Sequence, residues 1–339
     1  MFFNKPQGVG HPSGDAYDCT LGNKKGPHVI TAVGNPVYDY IKTRKTQPKG
    51  RILSGCSTNA ALALAKMGAK VRLVGAIGDD YKEHFKTELS VLGIEYRIVP
   101  SNATGGFSLI YYDDFGNRTL DLLGRAADIE PLDPEWYRDS EAVLIGPILG
   151  EVSLENVRQI RESFDGLLFC DPQGLIRGAD ENGRIFHERC DGIEEALKGF
   201  DIVKPNELEG QILTGIDCRQ DPYEAARIIK SWGPKIVIVT LAELGSIIYD
   251  GHAFIDIPPY GIDLIDSTGA GDTYMAGFTF EYLKTGGDLR CAGCYASCTS
   301  SVMIENSGPD FSMTEDMIRE RQVSLLKIGG FKVNVGVNR

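Results

Sequence analysis

Residues 266–277 read Asp-Ser-Thr-Gly-Ala-Gly-Asp-Thr-Tyr-Met-Ala-Gly. Small residues ending in an acid, then apolar residues at helical spacing (Met275, Phe278, Tyr282, Leu283), predict a tight loop that opens a helix with Asp272 in its first turn. A helix start aims unpaired backbone N–H groups at one point, where the helix dipole also favours negative charge. Gly269 and Gly271 remove the Cβ atoms that would hold an anion away from the chain, and Ala270 between them is nearly as small. That point suits a phosphate. A carboxylate beside it repels an anion, unless its task is to take the proton of a hydroxyl attacking phosphorus. The plainer alternative is an ordinary glycine turn with Asp272 as a helix cap.

Such a site needs elements that bring other groups to it. Residues 28–33 form an apolar run that predicts a buried strand, ended by Gly34-Asn35-Pro36, with Asp39 just beyond. Ligands of open α/β sheets gather beyond the carboxyl ends of strands, so Asp39 is placed to hold hydroxyls. Residues 54–61 (Ser-Gly-Cys-Ser-Thr-Asn-Ala-Ala) open a helix that Ser57 or Thr58 can cap, with Asn59 in its first turn and Gly55 allowing a ligand close to the chain. Residues 94–99, 106–112 and 118–122 are strand-like, with 113–117 as a hairpin turn. They predict a small sheet standing off the main one. Arg118 there either reaches substrate or pairs with Asp113 or Asp114.

Beyond Asp128, strands at 142–145, 167–170, 201–204 and 235–240 alternate with helices, which argues for a doubly wound, mainly parallel sheet. Gln173 and Arg177 follow one strand end, with Asp171-Pro172 as a loop start. Asn206 and Glu209 lie one turn apart at a helix start after Pro205, where they make either a capping box or a hard-oxygen face for hydrated magnesium. Cys291, Cys294 and Cys298 share a helical face, which fits either close helix packing or a metal site.

The 266–277 run closely resembles the second signature of the ribokinase family, the pfkB-type carbohydrate kinases. The resemblance extends over roughly residues 28–310 through Gly34-Asn35-Pro36 with Asp39, the Gly55 to Asn59 stretch, Asn206 with Glu209, and Val239-Thr240-Leu241 with Gly245. It implies a ribokinase-like α/β fold with a β-sheet lid from about 36–54 and 94–124, and transfer of the γ-phosphate of ATP to a sugar-like alcohol. By the same resemblance Asp272 is the catalytic base and Gly269, Ala270 and Gly271 form the anion hole. Asp39, Gly55, Asn59, Arg118 and Gln173 contact the acceptor, Gln173 standing where myo-inositol kinases of the family are similar. Thr240, Gly245, Thr268, Gly269, Gly271 and Ser300 line ATP, and Asn206 and Glu209 hold Mg2+ through water. Some relatives hold a monovalent cation near the residue matching Asp266, which makes K+ a candidate. Ser54 and Ala242 stand where the family usually has glycine.

The chain of 339 residues carries a formal net charge of −12, which disfavours a general nucleic-acid or anionic-membrane surface. No apolar run approaches the roughly 20 residues of a membrane span, and a cytoplasmic location with reduced thiols is expected. Residues 1–26 are expected as an extension, 27–330 as the kinase domain and 331–339 as a tail, with a homodimer through the lid. A nicotinamide-dependent oxidoreductase would need a glycine-rich turn after the first strand, which Gly34-Asn35-Pro36 does not supply. A noncatalytic binding protein on the same fold is the other rival.

Overall fold

In the computed structural model, which describes residues 26–112, 118–328 and 333–335, the first apolar run forms β1 (Val29–Val33). The chain leaves through β2 (Val37–Lys42) and β3 (Ile52–Ser54) and returns by α1 (Cys56–Lys66) to β4 (Lys70–Gly78). Then come α2 (Lys82–Val91), β5 (Glu95–Ser101), β6 (Gly106–Tyr111) and β7 (Arg118–Gly124). Strand and helix next alternate as β8 (Ala142–Ile145), α3 (Leu154–Ser163) and β9 (Leu167–Cys170). A short hairpin, β10 (Arg177–Ala179) with β11 (Ile185–His187), precedes α4 (Ile193–Lys198), β12 (Ile202–Val203), α5 (Glu207–Thr214) and α6 (Pro222–Ser231). The chain closes with β13 (Ile236–Thr240), β14 (Ser246–Tyr249), β15 (Ala253–Ile257), α7 (Ala270–Thr285), α8 (Leu289–Ile304), α9 (Glu315–Ile328) and β16 (Val333–Val335).

Ten strands make one sheet in the order β16-β15-β14-β13-β12-β9-β8-β1-β4-β5, parallel from β13 to β5 and antiparallel beyond. Alternation along its strands decides the layers. On β13, Ile236 and Ile238 join the core beneath α1, α2, α7, α8 and α9, while Val237 and Val239 join the core beneath α3 to α6. Both faces of the sheet are therefore apolar and covered, as a parallel sheet requires. A second sheet, β3-β2-β6-β7, stands apart with its own apolar cluster of Val37, Ile41, Phe107, Leu109, Tyr111 and Ile148.

Two boundaries differ from the sequence expectation. Residues 95–101 pair in parallel with β4 at the edge of the large sheet rather than joining the small one. Hydrophobic runs show that a strand exists but not which edge it finds. Residues 333–335, expected within a tail, pair with β15 as the opposite edge. Residues 1–25 and the expected turn at 113–117 lie outside the described residues. No helix among the described residues is long and apolar enough to cross a membrane.

Candidate active site

Strand register builds the centre of the site. Val203 of β12 lies opposite Cys170 of β9, so the next residues, Lys204 and Asp171, emerge side by side at the carboxyl end of the sheet. Lys204 Nζ meets Asp171 Oδ2 at 2.8 Å with both side chains almost fully buried. A buried ammonium persists only with such a partner. Burial draws the Lys204 ammonium down, but Asp171 and Glu209 outweigh it and hold it above its ordinary value.

The first turn of α1 covers the neighbouring strand ends. Ser57 Oγ donates to the Val33 carbonyl at 2.7 Å, which pins the helix start over β1. Neither Ser57 nor Thr58 caps the helix; the N-cap is Gly55, at φ +115°. A Cβ on Gly55 would fall 2.9 Å from the Asn35 carbonyl and 3.1 Å from Ile148. A side chain at Gly55 would therefore collide with the protein itself. Asn59, one turn on, donates from Nδ2 to Asp272 Oδ2 at 2.8 Å.

Asp272 occupies the first turn of α7, whose N-cap is Gly269 in the left-handed region at φ +79°. The Ala270 amide turns back to the Ser267 carbonyl at 3.2 Å. The Gly271 and Asp272 amides precede any acceptor within the helix. A Cβ on Gly271 would lie 3.1 Å from Lys204 Nζ, and one on Gly269 would lie 3.0 Å from Asn59 Nδ2. The bare loop is therefore a cradle beside a buried cation, which fits a phosphate group. Burial, then the charge of Asp171, raises the Asp272 carboxyl above its ordinary value, while Asn59, Cys56 and Lys204 oppose the rise. Its surroundings make it a stronger base than an ordinary aspartate.

The loop before α7 is fastened on two sides. Asp266 accepts from the Thr268 amide and the Ser307 hydroxyl, each at 2.9 Å. From the small sheet, Tyr111 Oη lies 2.8 Å from Thr268 Oγ1, and Arg118 donates to the same Tyr111 oxygen at 3.1 Å. Asp39 faces this side, its Oδ1 accepting from the Phe107 amide at 2.8 Å. Burial pushes its carboxyl up to about 6, against the pull of the Phe107 amide, Ser54, Arg51 and Arg177. Gln173 Oε1 accepts from Arg177 Nη2 at 2.7 Å, and Arg177 Nε donates to His187 Nε2 at 3.2 Å. Burial, with Arg177 and Arg118 nearby, lowers His187 to about 4, so the ring is neutral and can accept.

Asn206 and Glu209 form the capping box that their spacing permits. Asn206 Oδ1 accepts from the Glu209 amide at 2.9 Å, and the Glu209 carboxylate accepts from the Asn206 amide at 2.9 Å and side chain at 2.7 Å. Burial and Asp171 raise Glu209 to about 7. A buried acid held that high lacks enough positive charge around it, and a divalent cation nearby would supply it, so these hard oxygen donors fit magnesium. Thr240, at the end of β13, is bridged to Asn206. Ser300 Oγ donates to the Ala270 carbonyl at 2.8 Å. Gly245 turns at φ +91°, its Cα side packed on the Ile257 carbonyl.

Sequence reasoning missed Cys56, Tyr111 and Lys204 and gave Asp171, in its loop after a strand end, no role of its own. The available signal was opposite charges immediately following two buried parallel strands. The helix cysteines do not form a metal group; among the described residues the only cluster of three suitable ligand atoms is Cys56, Asp171 and Asp272. Cys294 and Cys298 are buried free thiols.

Residues 50–316 match the profile of the pfkB family carbohydrate kinases. A cytidine kinase of Thermococcus kodakarensis is 33% identical over 249 residues, which are 71% of this chain and 82% of that protein. A solved pyrophosphate-dependent kinase of the ribokinase family, complexed with a pyrophosphate analog and myo-inositol, is similar with a TM-score of 0.74 and 25% identity, covering 86% of this chain and 99% of its own. Arabidopsis thaliana ribokinase, complexed with ribose and ATP, has a TM-score of 0.67 at 21% identity, covering 89% of this chain and 99% of its own.

Proposed function

From the premise that the chain belongs to the pfkB family of carbohydrate kinases, we propose that it transfers the γ-phosphoryl group of ATP to an alcohol of a sugar or sugar-like acceptor. The observation that carries this reading is the placement of Asp272, held by Asn59 at 2.8 Å, beside a bare helix start whose Gly271 lies against the Lys204 ammonium. The acceptor hydroxyl gives its proton to Asp272 as its oxygen bonds the γ-phosphorus, and the bond to the β–γ bridging oxygen breaks, releasing ADP. The Gly269-Ala270-Gly271 backbone and the Asp272 amide stabilise charge on the phosphoryl oxygens.

Asp39, Asn59, Arg118 and Gln173, with Arg177 behind Gln173, orient the acceptor. Thr240, Gly245, Thr268 and Ser300 line the nucleotide. Asn206 and Glu209 would hold magnesium through water, and that ion, when bound, offsets charge on the donor phosphates. Exposed Tyr40, Ile110, Tyr112 and Leu123 on and beside the small sheet support pairing of two copies there, which light scattering of purified protein tests.

The relative named as a cytidine kinase favours a second reading of the acceptor, in which the hydroxyl belongs to the sugar of a nucleoside. Both readings are tested by phosphorylated product formed from magnesium ATP, with and without K+, across ribose, fructose, ketodeoxygluconate, adenosine, cytidine and myo-inositol, with pyrophosphate as an alternative donor. Product from one acceptor class names it. No product, with ATP still bound, moves the noncatalytic reading ahead.

A further inference from the structure

The residue next to Gly55 in the first turn of α1 is Cys56, three positions before Asn59 and so on the same face of the helix. Its Sγ and one carboxylate oxygen each of Asp171 and Asp272 all lie within 4.8 Å of one another. Cys56 is 2% exposed. Gly146 packs against it, a Cβ there falling 2.6 Å from the sulfur. The thiol is thus buried within reach of both acids.

We propose that Cys56 is a positioning residue for the base: its S–H donates to the Asp272 carboxylate and, with the Asn59 amide, fixes the direction in which that carboxylate faces the acceptor hydroxyl. The thiol proton is available because burial, then the charges of Asp171 and Asp272, keep the group protonated. A donor to the charged form lowers the carboxyl, and Cys56 acts on Asp272 in that sense. The groups that face Asp272 are Asn59 and Cys56 from α1, Asp171 after β9 and Lys204 after β12, with the Arg177 guanidinium farther off. Of these, only Asn59, Cys56 and Lys204 favour the ionised acid from close range.

The inference rests on Asp272 being the base, and a cycle of variants separates the two ideas. The measurement is kcat, KM and the pH profile of kcat for Cys56→Ala, Cys56→Ser and Asp272→Asn, singly and combined, using magnesium ATP and whichever of the six acceptors above the wild-type protein turns over fastest. Cys56→Ala is expected to lower kcat roughly fivefold, a thiol being a weak donor, with both KM values unchanged and the acid limb of the profile moved to higher pH. Cys56→Ser, which keeps a donor, restores the limb and most of kcat. In Asp272→Asn the Cys56→Ala change has no further effect.

A Cys56→Ala enzyme with the wild-type limb overturns the proposal. So does a Cys56→Ser enzyme as impaired as Cys56→Ala, or an equal loss on the Asp272→Asn background, since either assigns Cys56 to packing. An Asp272→Asn enzyme of near-normal turnover sinks the base itself, whatever the Cys56 variants do.

Discussion

Asn59 Nδ2 and Asp272 Oδ2, 213 positions apart in the chain, stand 2.8 Å from one another where the first turns of α1 and α7 meet. Two helix starts thus converge on one carboxylate, one supplying a side-chain donor and the other its backbone cradle. The contact gives a direct handle on the acid. In Asn59→Asp two carboxylates share the space of one hydrogen bond, and like charges that close retain a proton between them. The pair then binds its proton to higher pH than Asp272 alone. Turnover at pH 7 should fall by more than about tenfold and recover in part as pH rises toward 9, which a kcat–pH profile reads. A deficit constant with pH would mean that Asn59 acts by packing.

Asp39, proposed to contact the acceptor, also bears on stability. Its folded carboxyl stands at about 6, above the ordinary carboxylate value, mainly through burial. The folded protein therefore holds that proton more tightly than the unfolded chain, and stability falls as pH rises through the interval between the two values. Asp39→Asn keeps an acceptor for the Phe107 amide but has no charge to bury. It should match wild type near pH 4 and exceed it by on the order of 2 kcal/mol at pH 8, while its acceptor KM rises. Denaturant unfolding at the two pH values checks the first part, and an unchanged difference between them contradicts it.

Ala242 is the only non-glycine among the described residues with positive φ, at +46°. It is exposed, so no packing explains the conformation. Glycine adopts this region without the Cβ clash, so Ala242→Gly should stabilise by about 1 kcal/mol and raise the melting temperature by roughly a degree or two. Thermal unfolding decides, and a lower melting temperature contradicts the argument.

Much of this arrangement was legible in the residues. The unbroken apolar runs at β8, β9 and β13 marked buried strands of a mainly parallel sheet, and the glycines around Ala270 marked the helix start that carries Asp272. The Asn206 and Glu209 spacing indicated its capping box. What stayed hidden depended on register and on edges. The Lys204–Asp171 pair exists because β9 and β12 align Cys170 with Val203, which neither strand states alone. The place of residues 95–101 on the large sheet depends on β4 offering a free edge. Tyr111 was read as a lid strand residue, and the contact of its hydroxyl with Thr268, which ties the small sheet to the loop, shows only in the folded chain.

The central claim is that Asp272 takes the acceptor proton. The most direct measurement is single-turnover phosphoryl transfer by Asp272→Asn beside calorimetric binding of ATP and of the acceptor. Retained binding of both ligands with transfer slowed roughly a thousandfold is the result the account predicts. Transfer at near the wild-type rate, with the same ligands bound, would contradict it.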